Sequence, residues 1–321
     1  MRITSSGITD GKKWQGQSKL NEKYLFRSFS IEENGNTRAC AALYFNPGIS
    51  HNGKKTFLLG NYECENDFYI SEKLFQHIFQ TCTENDIDYL IGPMNGSTWN
   101  AYRFCVEKTG NPFFLEPDQP DWYPEQFHLS GFDILADYIS SRQTLLHPMD
   151  ERTKNRKAEL ENENIEFRKF RKNNFYEEIN KLYPLCIKTF SENFLYTPLS
   201  ETEFLALYEP LLSVMNENII FIAEDNGQPA GFIFGLDDLL NKNQKGLIVK
   251  TLARDNNEKY KGIANVLSGL ITQYAFENNY SYLIHALMIE NNASVKVSSN
   301  YHGNISSRYR LYIKSFKNDQ I

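Results

Sequence analysis

The sequence predicts an α/β protein with a mixed sheet, two tandem copies of one α+β unit, and three observations carry that expectation. Residues 70–91 (ISEKLFQHIFQTCTENDIDYLI) and 263–284 (IANVLSGLITQYAFENNYSYLI) agree without a gap at nine of twenty-two positions, 193 residues apart. Each stretch opens with apolar residues spaced by three and four and closes on an apolar run of strand length, the pattern of an amphipathic helix feeding a strand. Each is preceded by another strand candidate and, before that, by a hairpin-like pair of segments around an Asn-Gly turn.

In the first copy the hairpin is RSFSIEENGNTRACAALYF (27–45), turning at Asn34-Gly35-Asn36, and the strand is KTFLLGNYEC (55–64). The helix follows over 70–86, with Ile70, Leu74, Phe75, Ile78 and Phe79 on one face, and a strand over 88–94. In the second copy the hairpin (219–236) turns at Asn226-Gly227, and GLIVKTLA (246–253) is the strand. Ile263, Val266, Leu267, Leu270 and Ile271 form the apolar helix face, and YLIHALMI follows as a strand. A strand–helix–strand unit with a right-handed crossover makes its two strands parallel. Between the copies, 147–174 is dense in charge and reads as a solvated helix or linker. It divides the chain into domains 1–150 and 151–321.

Composition narrows the function classes. A chain of 321 residues accommodates two domains, each able to bury its own core, and 41% hydrophobic content makes them globular. A net charge of −6 gives no reason for a nucleic-acid or anionic-membrane partner. The five cysteines (Cys40, Cys64, Cys82, Cys105, Cys186) are odd in number, without a CxxC pair or zinc spacing, so reduced, buried thiols and no metal are expected. The opening MRITSSGITDGKKWQG lacks the apolar core of a signal peptide, and no apolar run is long enough to span a bilayer. A cytoplasmic protein is the expectation.

The second copy's helix is entered through Glu258-Lys259-Tyr260-Lys261-Gly262-Ile263-Ala264. A helix start presents unsatisfied N–H groups and the positive end of the dipole, and so attracts phosphate. Gly262 lets backbone and phosphate approach closely, Ala264 keeps the first turn clear, and Lys259 and Lys261 add positive charge. A pyrophosphate is the natural occupant; a plain turn is the alternative.

With these residues the sequence resembles the GNAT superfamily of acyl-CoA-dependent N-acyltransferases, whose signature Gln/Arg-x-x-Gly-x-Gly/Ala lies between the fourth strand and third helix. The signature falls on Lys259, Gly262 and Ala264, and the later Asn and Gly of the family on Asn292 and Gly303. The resemblance covers about 165–321, and the first half looks like the N-terminal half of tandem members. It implies acetyl-CoA, or another acyl-CoA, as cosubstrate. The cofactor-binding set it implies is Leu252, Ala253, Arg254, Lys259, Tyr260, Lys261, Gly262, Ile263, Ala264 and Asn292. Lys259 replaces the family's Gln or Arg, Asn304 its phenylalanine, and Ser299 the tyrosine that often protonates the leaving thiolate.

Tyr301, two residues beyond, is the candidate acid, or else packs at the helix end. His285 is either a core histidine or a base. Strand alternation puts Ile248, Lys250, Leu252 and Arg254 on one face, where Lys250 and Arg254 either reach solvent or hold a substrate carboxylate or cofactor phosphates. Trp99, Tyr102, Trp122 and Tyr123 form either interdomain packing or an aromatic substrate wall. In the first copy, Tyr69 stands for Gly262 and Asn66 for Lys259, and the loop carries Glu63, Glu65 and Asp67. That loop would repel a pyrophosphate. The expected function is N-acyl transfer, most simply acetyl transfer, to the amine of a small, amino-acid-like molecule. The alternative is a non-catalytic acyl-CoA-binding or sensing protein.

Overall fold

A computed structural model describes residues 2–6, 16–290, 298 and 303–317, and among these thirteen strands run in one mixed sheet. Both hairpins form at the Asn-Gly signals. β2 (Leu25–Glu33) and β3 (Asn36–Tyr44) turn at Asn34 and Gly35, with φ of 52° and 81°. β9 (Ile220–Asp225) and β10 (Gln228–Asp237) turn at Asn226 and Gly227, with φ of 49° and 77°. Two successive left-handed residues match the twist of the flanking strands.

The strand–helix–strand units are β4 (Thr56–Cys64), α1 (Phe68–Glu84), β5 (Tyr89–Gly92) and β11 (Gly246–Arg254), α6 (Ile263–Glu277), β12 (Tyr282–Ile289). Each strand pair is parallel, Thr56–Leu58 beside Tyr89–Ile91 and Gly246–Val249 beside Tyr282–His285. The anticipated apolar faces are the buried ones. Ile70, Leu74, Phe75 and Ile78 enter one core, and Ile263, Val266, Leu267 and Ile271 another.

The copies are interlocked. The last strand, β13 (Asn304–Ser315), lies between β5 and β7 (Asp133–Gln143), and β7 takes the place beside β12. The short β6 (Phe104–Lys108) also pairs with β13. Residue 150 therefore divides the chain order and not the sheet, because each copy is completed by a strand of the other. β1 (Arg2–Ser6) forms one edge of the sheet.

The charged stretch between the copies is only partly solvated. It forms α3 (Glu151–Asn162), whose start is capped by the Asp150 side chain, and then the other edge strand, β8 (Ile165–Lys169). Arg168 of β8 points inward and is neutralised by Glu178 of α4 (Phe175–Phe190) and Glu224 of β9. Helices α1 and α6 cover one face of the sheet. On the other face α4 and α5 (Glu201–Tyr208) pack together with first-copy residues Trp99 and Phe114. Trp99 donates from Nε1 to the Thr197 carbonyl at 2.8 Å, an interdomain anchor. Trp122 and Tyr123, on α2 (Trp122–Leu129), lie elsewhere, in the first copy's own core, so no four-residue aromatic wall exists.

All five cysteines are buried and unpaired, as expected. Among the described residues no helix is long and apolar enough to cross a membrane, and no group of three His, Cys, Asp or Glu is placed to hold a metal.

Candidate active site

β11 and β12 pair only as far as Val249 and His285. Beyond that point β11 continues against β10 and β12 against β7, leaving a fork whose two inner edges do not pair with each other. Two bulges shape it. Lys250 is the extra residue of β11, since Val249 faces Gly235 while Thr251 faces Phe234. Leu287, at φ 61°, lies in the bulge of β12 opposite Ser140. Its N–H donates to Ser140 Oγ at 3.0 Å, and its carbonyl accepts from Arg103 Nη1 at 3.2 Å.

The equivalent fork of the first copy is filled by its own chain. Met94 N–H donates to the Leu59 carbonyl at 2.7 Å, and Asn61 N–H to Asn95 Oδ1 at 2.8 Å. Gly60 permits this closure, because a Cβ there would stand 2.6 Å from the Met94 carbonyl oxygen.

The two helix starts differ in the same sense. Asp67 caps α1, accepting from the N–H groups of Tyr69 and Ile70 at 3.0 and 3.3 Å. The first copy thus satisfies its helix start with its own carboxylate. Its other loop acids are also engaged, Glu65 with Arg38 and Glu63 with the Gln17 N–H, while Gln126 of α2 donates to the Glu65 carbonyl. Among the described residues no side chain caps α6, and Gly262 before it sits at φ 96°, the left-handed region that glycine enters without strain.

Around Gly262 the predicted ligands are distributed unequally. Lys259 Nζ pairs with Asp225, which also accepts from the Tyr260 hydroxyl at 2.8 Å. These contacts hold Asp225 below the usual carboxylate range and push the Tyr260 hydroxyl up to about 12. Lys261 is exposed, 3.6 Å from Glu258. Its carbonyl accepts from Arg156 Nε and Nη2 of α3, at 3.0 and 2.8 Å. A Cβ on residue 262 would lie 2.9 Å from Arg156 side-chain atoms. Sequence reasoning missed Arg156, which sits within the charge run. The available signal was Gly262, just before α6, and Gly269, within it, where a Cβ would also meet α3 at Thr153, 3.0 Å away.

The bulge at Lys250 corrects the expected strand parity. Ile248 and Lys250 do face the α4 side, with Lys250 Nζ 5.3 Å from the centre of the Tyr208 ring. Leu252 turns instead to the α6 side, and Ala253 to the α4 side. An extra residue reverses every position after it. Arg254 donates to the Asn257 carbonyl at 3.2 Å. Burial lowers the Lys250 amine below its ordinary range.

His285 is 5% exposed, mid-strand, and burial pushes its imidazole down to about 4, so it is neutral at physiological pH. Asn292, Ser299 and Tyr301 lie outside the described residues.

No family model matches the sequence, and no curated protein matches it. Solved structures do. A GCN5-related N-acetyltransferase from Sphaerobacter thermophilus superposes with a TM-score of 0.53 at 10% identity, over 90% of this chain and 80% of that one. A tandem GNAT protein from the clavulanic acid biosynthesis pathway gives 0.51 at 8% identity, over 92% and 84%. The glucosamine N-acetyltransferase region of a fungal multi-domain GH3 β-N-acetylglucosaminidase gives 0.54 at 12% identity, over 90% and 33%.

Proposed function

The chain has the GNAT N-acetyltransferase fold, and from that premise we propose that it is an N-acyltransferase moving an acyl group, acetyl in the simplest case, from acyl-CoA to the amine of a small molecule. One observation supports this reading above the others. The same fork and helix start occur twice, closed by Asn95 and capped by Asp67 in the first copy, and, among the described residues, unpaired and uncapped in the second. A site lost in one copy and kept open in the other is a site with a use.

The N–H groups of Gly262, Ile263 and Ala264 would take the pyrophosphate, with Lys261, Lys259 and Arg156 adding positive charge around it. The backbone of Leu252–Arg254, on the open edge of β11, would pair with the cofactor's amide arm and polarise the thioester carbonyl. Acyl-CoA supplies an activated thioester, and a neutral amine is the nucleophile. Lys250 faces the side of the sheet opposite α6, the side from which an acceptor would enter.

The test is free-thiol release from acetyl-CoA by the full chain across amines and amino acids. Acceptor-dependent release with formation of the N-acetyl product is expected. Acetyl-CoA binding with no release for any amine would replace the enzyme with an acyl-CoA sensor.

A further inference from the structure

Three cations stand on the α4 side of the sheet, Arg103 among them beside the fork, and among the described residues none of the three forms an ion pair. Arg103 is 8% exposed, its guanidinium held over the rings of Tyr102 (4.0 Å) and Tyr138 (4.4 Å). Its hydrogen bond to the Leu287 carbonyl uses Nη1, while its Nε–H meets no acceptor. Arg142 shares the face of β7 that carries Tyr138 and lies over the Tyr282 ring at 3.9 Å, its Nε–H likewise unpartnered. Lys250 is the third.

Glu116 and Asp238, whose tyrosine partners Tyr309 and Tyr282 lie under the Arg103 and Arg142 guanidinium groups, are engaged elsewhere. Glu116 accepts from the Tyr309 hydroxyl and the Phe113 N–H. Asp238 accepts from the Tyr282 hydroxyl at 2.6 Å and the Phe114 N–H at 2.9 Å.

Burying a guanidinium without an anion is costly, and ring faces return only part of the loss. This chain has 40 acidic residues against 34 basic ones, and it neutralises another nearly buried arginine, Arg168, with two carboxylates. The missing counter-ion at Arg103 is therefore a feature of that place. The place is specific, since Leu287 lies two residues past the last β11–β12 pair, on the arm of β12 that borders the fork. Nor do these cations face the helix start, because α6 packs against Leu247, Val249 and Leu283 on the opposite side.

We propose that Arg103 receives a carboxylate of the acceptor, so that the second copy's chemistry takes its substrate specificity from a side chain of the first. Its planar fork of donors suits a carboxylate, and the two tyrosine rings fix the plane. The inference deepens the acyltransferase reading by naming the acceptor class, a carboxylate-bearing amine.

The full-length chain is titrated calorimetrically with glycine, L-alanine and L-glutamate, each against its carboxamide, and kcat/KM for thiol release from acetyl-CoA is measured with the same pairs. The wild type is expected to favour carboxylates at least tenfold. Arg103→Gln should abolish that preference, Arg103→Lys should keep part of it, and acetyl-CoA affinity should stay within twofold in both. If Arg103→Gln fails to fold, Arg103→Lys must lower the preference several-fold. Equal binding of carboxylate and amide, no carboxylate binding at millimolar concentration, or a preference that survives these variants overturns the proposal. Carboxylate binding that depends on Arg103 with no thiol release would leave this site standing and remove the acyltransferase reading.

Discussion

The guanidinium of Arg156 holds the carbonyl of Lys261 through two nitrogens, Nε at 3.0 Å and Nη2 at 2.8 Å, and fills the space that a side chain on residue 262 would need. A helix from the junction between the copies thus braces the loop at the start of α6. It also adds a positive charge where the proposed pyrophosphate would lie. Arg156→Gln should raise the acetyl-CoA Kd about fivefold, an effect of about 1 kcal/mol. The salt dependence of binding should become shallower, as calorimetry at two ionic strengths would show. Unchanged affinity would make Arg156 a brace only.

Asp67 does for α1 what an external anion would do for α6. Removing it by Asp67→Ala should cost about 1 kcal/mol, a typical loss for a capping side chain. Urea unfolding should show a lower midpoint, while acetyl-CoA affinity and stoichiometry stay the same. A change in acetyl-CoA binding would mean that the first copy takes part in it.

The buried imidazole of His285 sets a pH dependence. Its folded value, about 4, lies below the ordinary 6.5, so between these limits the unfolded chain binds a proton that the folded chain does not. Stability should be level above about pH 6.5 and fall as pH drops towards 4, with up to about 3 kcal/mol from this group. His285→Leu should flatten that fall in urea titrations at stepped pH. An acid limb of the wild-type shape in the variant would assign the effect to other groups.

The exchange of β7 and β13 makes the copies interdependent. A 151–321 fragment would lose β7 from beside β12, and its β13 would lack both neighbours, β5 and β7. It should be insoluble when expressed alone, and co-expression with 1–150 should recover soluble complex. A folded, fully active fragment would show that the swapped strands are dispensable.

Local features were legible in the sequence because they are set by local rules. Asn34-Gly35 and Asn226-Gly227 demanded left-handed turns, and the spacing of Ile263, Val266, Leu267 and Leu270 could serve only a helix face. The open and closed loops were visible in Gly262 against Tyr69. β8 was hidden because its charges, including Arg168, find partners only in the folded state. The face of Leu252 was missed because one extra residue at Lys250 inverts the alternation, and no sequence periodicity announces it. Arg103 and Arg156 were missed for a third reason. Each acts on a partner, Leu287 or Lys261, that is distant in the chain and meets it only through the topology.

The central claim is that acyl-CoA binds once per chain, at the start of α6. Calorimetry with acetyl-CoA should give a stoichiometry of one for the full chain. Gly262→Glu would place a carboxylate and a strained left-handed residue against the pyrophosphate, at a backbone cost of about 1–3 kcal/mol. It should abolish binding while the far-UV circular dichroism spectrum is retained. Two sites per chain, or binding that survives Gly262→Glu in a folded protein, would contradict the account.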